Sequence, residues 1–127
     1  MSAAQAATNH AYAPYSKFYV GAAILTDDGK TFTGCNVENA SFGLTICAER
    51  NAIFAAVAAA NAAPQGKIKV VAVAVANAQN VPCSPCGACR QVIAEFGRDA
   101  VVYYQGENGM KEQTLKELLP DGFILAE

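Results

Sequence analysis

Residues 68–76 read IKVVAVAVA, a near-continuous run of valine, alanine and isoleucine. A run of this kind, with almost no polar alternation, fits a strand buried on both faces, and that demands helices on either side of a sheet. The flanking sequence supplies them. Residues 18–26 are rich in apolar side chains and lead into Asp27-Asp28-Gly29-Lys30, a tight turn with Gly29 at the positive-φ position. Residues 31–36 return as the partner strand. Residues 37–46 look irregular and partly polar, and such a stretch in a compact chain usually has a job. A helix is expected over 47–60, with Ile53, Val57 and Ala60 on one face and alanines allowing close packing. A loop over 61–66 leads to the central strand, and 77–85 form a second loop punctuated by Pro82 and Pro85. A second helix spans 87–96, with Val92, Ile93 and Phe96 inward, followed by a strand over 100–104 and a turn over 106–109. Thr114-Leu115-Lys116-Glu117 is a capping box opening a short helix that Pro120 ends. Another short helix covers 3–9 and breaks at Ala13-Pro14-Tyr15-Ser16. The order strand, strand, helix, strand, helix, strand predicts an α/β fold with a mostly parallel sheet, in one domain over 1–127. In such sheets ligands sit where the chain leaves the strands' carboxyl ends.

Composition excludes several function classes. The net charge is −2 and no basic stripe is present, which argues against a nucleic-acid partner. No stretch reaches the roughly 18 apolar residues of a membrane span. Residues 1–9 hold no Lys or Arg and no long apolar run, so they are not a signal peptide. Five cysteines make an odd count, with three of them between 83 and 89, which fits metal binding in a reducing cytoplasm better than a disulfide framework. Hydrophobic residues reach 53% against 16% charged, so a chain this small has reason to bury surface against copies of itself.

The chemistry lies in two groups. Cys47-Ala48-Glu49 opens the first long helix, and Pro85-Cys86-Gly87-Ala88-Cys89 opens the second. Cys86 and Cys89 are spaced to face one point, and Cys47 can approach it from the side. Helix N-termini carry partial positive charge and favour thiolates. Three thiolates hold one zinc ion (Zn²⁺) and leave its fourth position for water, whose proton Glu49 can shuttle to a substrate. A structural site would want a fourth ligand, from Cys83 or Cys35, but would leave Glu49 unexplained. Three thiolates also blunt the ion's Lewis acidity. A guanidinium donating to a ligand sulfur would offset that; Arg50 follows Glu49 and Arg90 follows Cys89, either could donate, and Arg50 is the one favoured. Cys83, bracketed by prolines, is expected to stay unliganded; Cys35 reads as a small buried hydrophobe, and His10 as a surface residue.

The segments 34–40 (GCNVENA), 47–50 (CAER) and 85–91 (PCGACRQ), with 14–18 (PYSKF) and 20–23 (VGAA), closely resemble the short zinc-dependent cytidine deaminases over about residues 12–123. The resemblance implies a three-layer α-β-α sandwich around a mixed five-stranded sheet. It implies one zinc per chain on Cys47, Cys86 and Cys89, with Glu49 catalytic. It implies that Asn36 and Glu38 bond a sugar hydroxyl, that Phe18 packs against the base, and that the backbone at Ala48 and Ser84–Pro85 faces the reacting ring. It further implies a homotetramer in which Phe123 reaches a neighbouring site. Phe42 departs from the family, where tyrosine is frequent. The implied reaction is hydrolytic deamination of cytidine and 2′-deoxycytidine at C4 in pyrimidine salvage. Two other readings stand beside it: a deaminase of a cytosine-nucleoside antibiotic of the blasticidin S type, for which Glu38 has less purpose, and a non-catalytic zinc-binding module.

Overall fold

The computed structural model describes residues 1–60 and 67–125; the loop expected over 61–66 lies outside the described residues. The regular elements are α1 (Ser2–Ala7), β1 (Val20–Thr26), β2 (Thr31–Cys35), α2 (Ala48–Ala60), β3 (Val70–Asn77), α3 (Gly87–Phe96), β4 (Val101–Gly106), β5 (Gly109–Thr114) and α4 (Leu115–Leu118). The strands form one sheet in the order β2-β1-β3-β4-β5.

The expectation of a mostly parallel sheet is corrected: only β3 and β4 pair in parallel, while β1 is antiparallel to both β2 and β3, and β5 to β4. The hairpin explains the difference, because its turn inserts β1 between two strands that run the other way. Gly29, at φ +85°, makes that turn possible. β2, β3 and β4 therefore run in one direction, and their carboxyl ends, at Cys35, Asn77 and Gly106, gather at one end of the sheet. The polypeptide leaves β2 and β3 there and enters α2 and α3, as the ligand-site rule for such sheets requires. β5 was not foreseen from periodicity. It is an edge strand whose Met110, Lys111 and Glu112 are exposed, so it carries no apolar signal.

α2, α3 and α4 cover one face. Their Ala48, Ala52, Ile53, Ala56, Ile93, Leu115 and Leu118 pack on Val20, Ala22, Ile24, Val73, Val75 and Val102. α1 covers part of the other face, where Ala4 meets Ala23, Ala74 and Ala76. Both helices lie unusually near the strands. A Cβ on Gly21 would fall 2.1 Å from the Ala4 carbonyl oxygen, and one on Gly34 would fall 2.3 Å from the Ala52 nitrogen. Close seating at Gly34 also corrects the expected inner face of α2. The small residues Ala48, Ala52 and Ala56 turn inward with Ile53, Val57 is 45% exposed, and Ala60 is only half-buried. α3 has its expected bounds, and the capping box of α4 forms in both directions between Thr114 and Glu117. No helix among the described residues is long and apolar enough to cross a membrane.

Candidate active site

Cys47 is the residue just before α2, and Cys86 is the N-cap of α3, in extended conformation with φ −68° and ψ 167°. Cys89 sits one turn further along α3, and its backbone N–H donates to the Cys86 sulfur at 3.4 Å. The Sγ atoms of Cys47 and Cys86 stand 3.8 Å apart, and all three sulfurs lie within 4.8 Å of one another. Sulfurs bound to zinc at ~2.3 Å with tetrahedral angles are about 3.8 Å apart, so this donor set fits the ion. Among the described residues the group consists of these three thiols, with Cys83 outside it. Cys89 is fully buried, Cys47 half-buried and Cys86 exposed, so the cluster opens outward on the Cys86 side. Among the described residues no fourth Cys, His, Asp or Glu joins the group.

The three thiols lie close enough to shift one another's proton affinity. The Cys89 thiol donating to Cys47, together with Arg50, keeps Cys47 well below the ordinary thiol range against the opposing effect of burial. Cys89 is pushed up by the same hydrogen bond and by burial. The Arg50 Nη2 donates to the Cys47 sulfur at 3.5 Å. Arg90 does something else: it donates to the Pro85 carbonyl, the Leu118 carbonyl and the Ser84 hydroxyl, and to no sulfur.

Glu49 is in the first turn of α2 and only 4% exposed. Burial, reinforced by the neighbouring Cys47, pushes its carboxyl up to about 7. Among the described residues the only hydrogen-bond donor its carboxylate meets is its own backbone N–H. It is therefore a buried acid kept free of structural partners beside the thiol cluster, the setting in which a carboxyl can both take and give a proton near neutral pH.

The other candidates are engaged locally. Asn36, buried, accepts from the Val20 N–H at 2.9 Å and donates to the Phe18 carbonyl at 2.8 Å, so it clips the start of β1 to the end of β2. Among the described residues its amide nitrogen makes this one donation, which leaves its second hydrogen for another acceptor. Glu38 accepts from the Ser16 hydroxyl and from the backbone N–H groups of Tyr15 and Ser16. The Ser16 hydroxyl, ahead of those two N–H groups, holds its carboxyl below the usual carboxylate range. Phe18 is half-buried and packs against the main core. Ala48 is fully buried in the main core. A hollow of about 380 Å³ is lined by Tyr15, Ser16, Glu38, Phe42 and Thr45, and by none of the three cysteines. Phe123 is 68% exposed, with its carbonyl held by Gln91 at 2.8 Å.

Two residues near the cluster, Asn77 and Arg90, make contacts that the sequence does not announce. Asn77, buried at the end of β3, both donates to the Val81 carbonyl and accepts from the Val81 N–H, folding back the loop that leads to Cys86. Asparagine at a strand end before a proline-rich loop was the available signal. Arg90 had no signal of its role, because its three acceptors are carbonyl and hydroxyl oxygens brought in from two separate segments.

Residues 1–105 match the family described as "Cytidine and deoxycytidylate deaminase zinc-binding region". A cytidine deaminase of Halalkalibacterium halodurans is 50% identical over 115 residues, covering 89% of this chain and 83% of that protein. The crystal structure of cytidine deaminase from Burkholderia pseudomallei is similar with a TM-score of 0.83 at 48% identity, covering 96% of this chain and 94% of that one. That of cytidine deaminase from Mycobacterium tuberculosis gives 0.82 at 40% identity, covering 98% and 94%.

Proposed function

The chain belongs to the zinc-binding cytidine and deoxycytidylate deaminase family, and on that basis we propose that it hydrolyses the 4-amino group of cytidine and 2′-deoxycytidine, releasing ammonia and the corresponding uridine. The observation that carries the reading is the pairing of a three-thiol cluster with a buried acid, Glu49, to which no other described residue donates a hydrogen bond.

Cys47, Cys86 and Cys89 would hold the zinc, which supplies the Lewis acidity that makes a water acidic enough to attack C4 near neutral pH. Glu49 does the proton work. It takes a proton from the attacking water and gives it to N3 of the cytosine ring, which makes C4 electrophilic. As the adduct at C4 collapses, Glu49 carries the remaining hydroxyl proton to the departing amino group. The ring keeps its N3 proton and a C4 carbonyl, and the amino group leaves as ammonia. Water and cytidine are thus fully accounted for in uridine and ammonia.

Binding falls to the segments converging on the same end of the sheet. The spare amide hydrogen of Asn36 and the carboxylate of Glu38 suit a ribose hydroxyl, and Phe18 suits the face of the base. Glu38 would exchange part of its grip on the 15–16 turn for the sugar. The backbone of Ala48 and of Ser84–Pro85 borders the ring. The hollow beside Glu38 is lined by Tyr15, Ser16, Phe42 and Thr45. Phe42 is 74% exposed, and Phe123 projects from the C-terminal segment. Both suit a homotetramer in which one chain closes the site of another, and the outward Phe54 and Val57 of α2 suit the same assembly. All five cysteines are free thiols, which suits a reducing cytoplasm.

The test is metal content measured together with ammonia release. The purified protein is expected to carry one zinc per chain and to release ammonia from cytidine, and removal of the zinc is expected to abolish the release. A protein without metal at these thiols, or with metal and no ammonia, would overturn the reading. Arg50 offers a second check. Its donation to Cys47 withdraws charge from a ligand sulfur, so Arg50→Gln is expected to lower kcat about 10–100-fold. The accompanying loss of thermal stability should be small. Unchanged turnover in that variant would remove Arg50 from the reaction.

A further inference from the structure

Cys86 is the exposed member of the three thiols. Its position is set by the two peptide groups around it. Arg90 grips both. Its backbone N–H donates to the Cys86 carbonyl at 2.9 Å, as the helix requires, and its Nε donates to the Pro85 carbonyl at 2.8 Å. The Pro85 carbonyl lies outside the helical ladder and would otherwise be free to rotate. Pro85 itself is buried, which anchors the other side of the same peptide.

The remainder of the guanidinium reaches further. Nη1 donates to the Leu118 carbonyl at 2.9 Å and Nη2 to the Ser84 hydroxyl at 3.3 Å. Leu118 ends α4, and the last carbonyls of a helix have no intrahelical partners. One planar fork thus braces the loop that carries Cys86 against the end of a different helix. The next residue, Gln91, ties the Phe123 carbonyl to the same turn of α3 at 2.8 Å. The metal loop and the C-terminal segment are held as a unit by two consecutive side chains.

We propose that Arg90 is a positioning residue: by clamping the Pro85 carbonyl against α4 it fixes the Cys86 thiol in the geometry that zinc requires. The proposal rests on the zinc reading above. Its action is geometric. The guanidinium touches no sulfur, so a role in neutralising thiolate charge is left to Arg50. The fork is essential to this role, because the single ammonium of a lysine cannot reach oxygens of Ser84, Pro85 and Leu118 together.

The experiment compares the parent with Arg90→Lys and Arg90→Gln. Zinc affinity is read by competition with a chromophoric chelator, and the fold of the zinc-free proteins by circular dichroism and thermal melting. Both variants are expected to bind zinc about 10–100-fold more weakly than the parent, with the spectrum of the zinc-free fold retained. Arg90→Lys keeps the charge and the aliphatic stem, so it carries the test if Arg90→Gln does not fold. Recovery of parental zinc affinity in Arg90→Lys would show that charge alone matters and overturn the proposal. Parental affinity in both variants, with only the melting temperature lowered, would reduce Arg90 to a structural brace and overturn it too. A parent that binds no zinc is a different result, and strikes the functional reading itself.

Discussion

Glu49→Ala is expected to keep its zinc and its fold while losing about 10²–10⁴-fold in kcat. The carboxylate has no donor to leave stranded apart from its own backbone N–H, so its removal breaks no network among the described residues. Its only evident use of a buried position is to exchange protons where water is scarce. Glu49→Gln sharpens the test, because it preserves shape and buried volume and removes only the ability to carry a proton. Both variants should hold metal at the parent's stoichiometry in elemental analysis and release ammonia far more slowly. Near-parental release from either would end the proposed role of Glu49, since no other acid lies in the first turn of α2.

Gly34→Ala is expected to destabilise the fold by about 3 kcal/mol, the upper end of what one extra methyl costs in a packed interior. The added carbon would stand 2.3 Å from the Ala52 nitrogen and 2.6 Å from the Ala48 carbonyl oxygen. Both are backbone atoms of a regular helix, which cannot move aside like the tip of a side chain. Relief requires α2 to lift from β2, and α2 bears Glu49 and follows Cys47. The variant should therefore show a lower denaturation midpoint and, in the molecules that remain folded, weaker metal binding. A midpoint within experimental error of the parent would mean that α2 does not rest on β2 as described.

Much of this was legible in the sequence for identifiable reasons. β3 declared itself because a strand covered on both faces must be apolar throughout. α3 kept its expected bounds because Pro85 and Cys86 stop one conformation where Gly97 stops the other. The convergence of the three thiols could be read because chemistry constrains residue type and spacing together. α2 was misjudged because alanine is ambiguous: the seat on Gly34 favours small residues inward, so Val57 faces out although it is the more apolar side chain. β5 was hidden by its place at the sheet edge. Arg90 and Asn77 were hidden for another reason. Apart from the Ser84 hydroxyl, their partners are main-chain oxygens and nitrogens, which every residue has and which no motif can mark.

Cys47 and Cys86 are 39 residues apart along the chain, at the mouths of two different helices. An ion shared between them would act as a cross-link, closing a long loop that contains α2 and the central strand. Closure of that kind removes freedom from the unfolded chain as a disulfide does, and the gain grows only slowly with loop length. The same atom that activates water would then also serve as a rivet in the folded state, so resistance to heat and to proteases would follow metal supply as closely as turnover does.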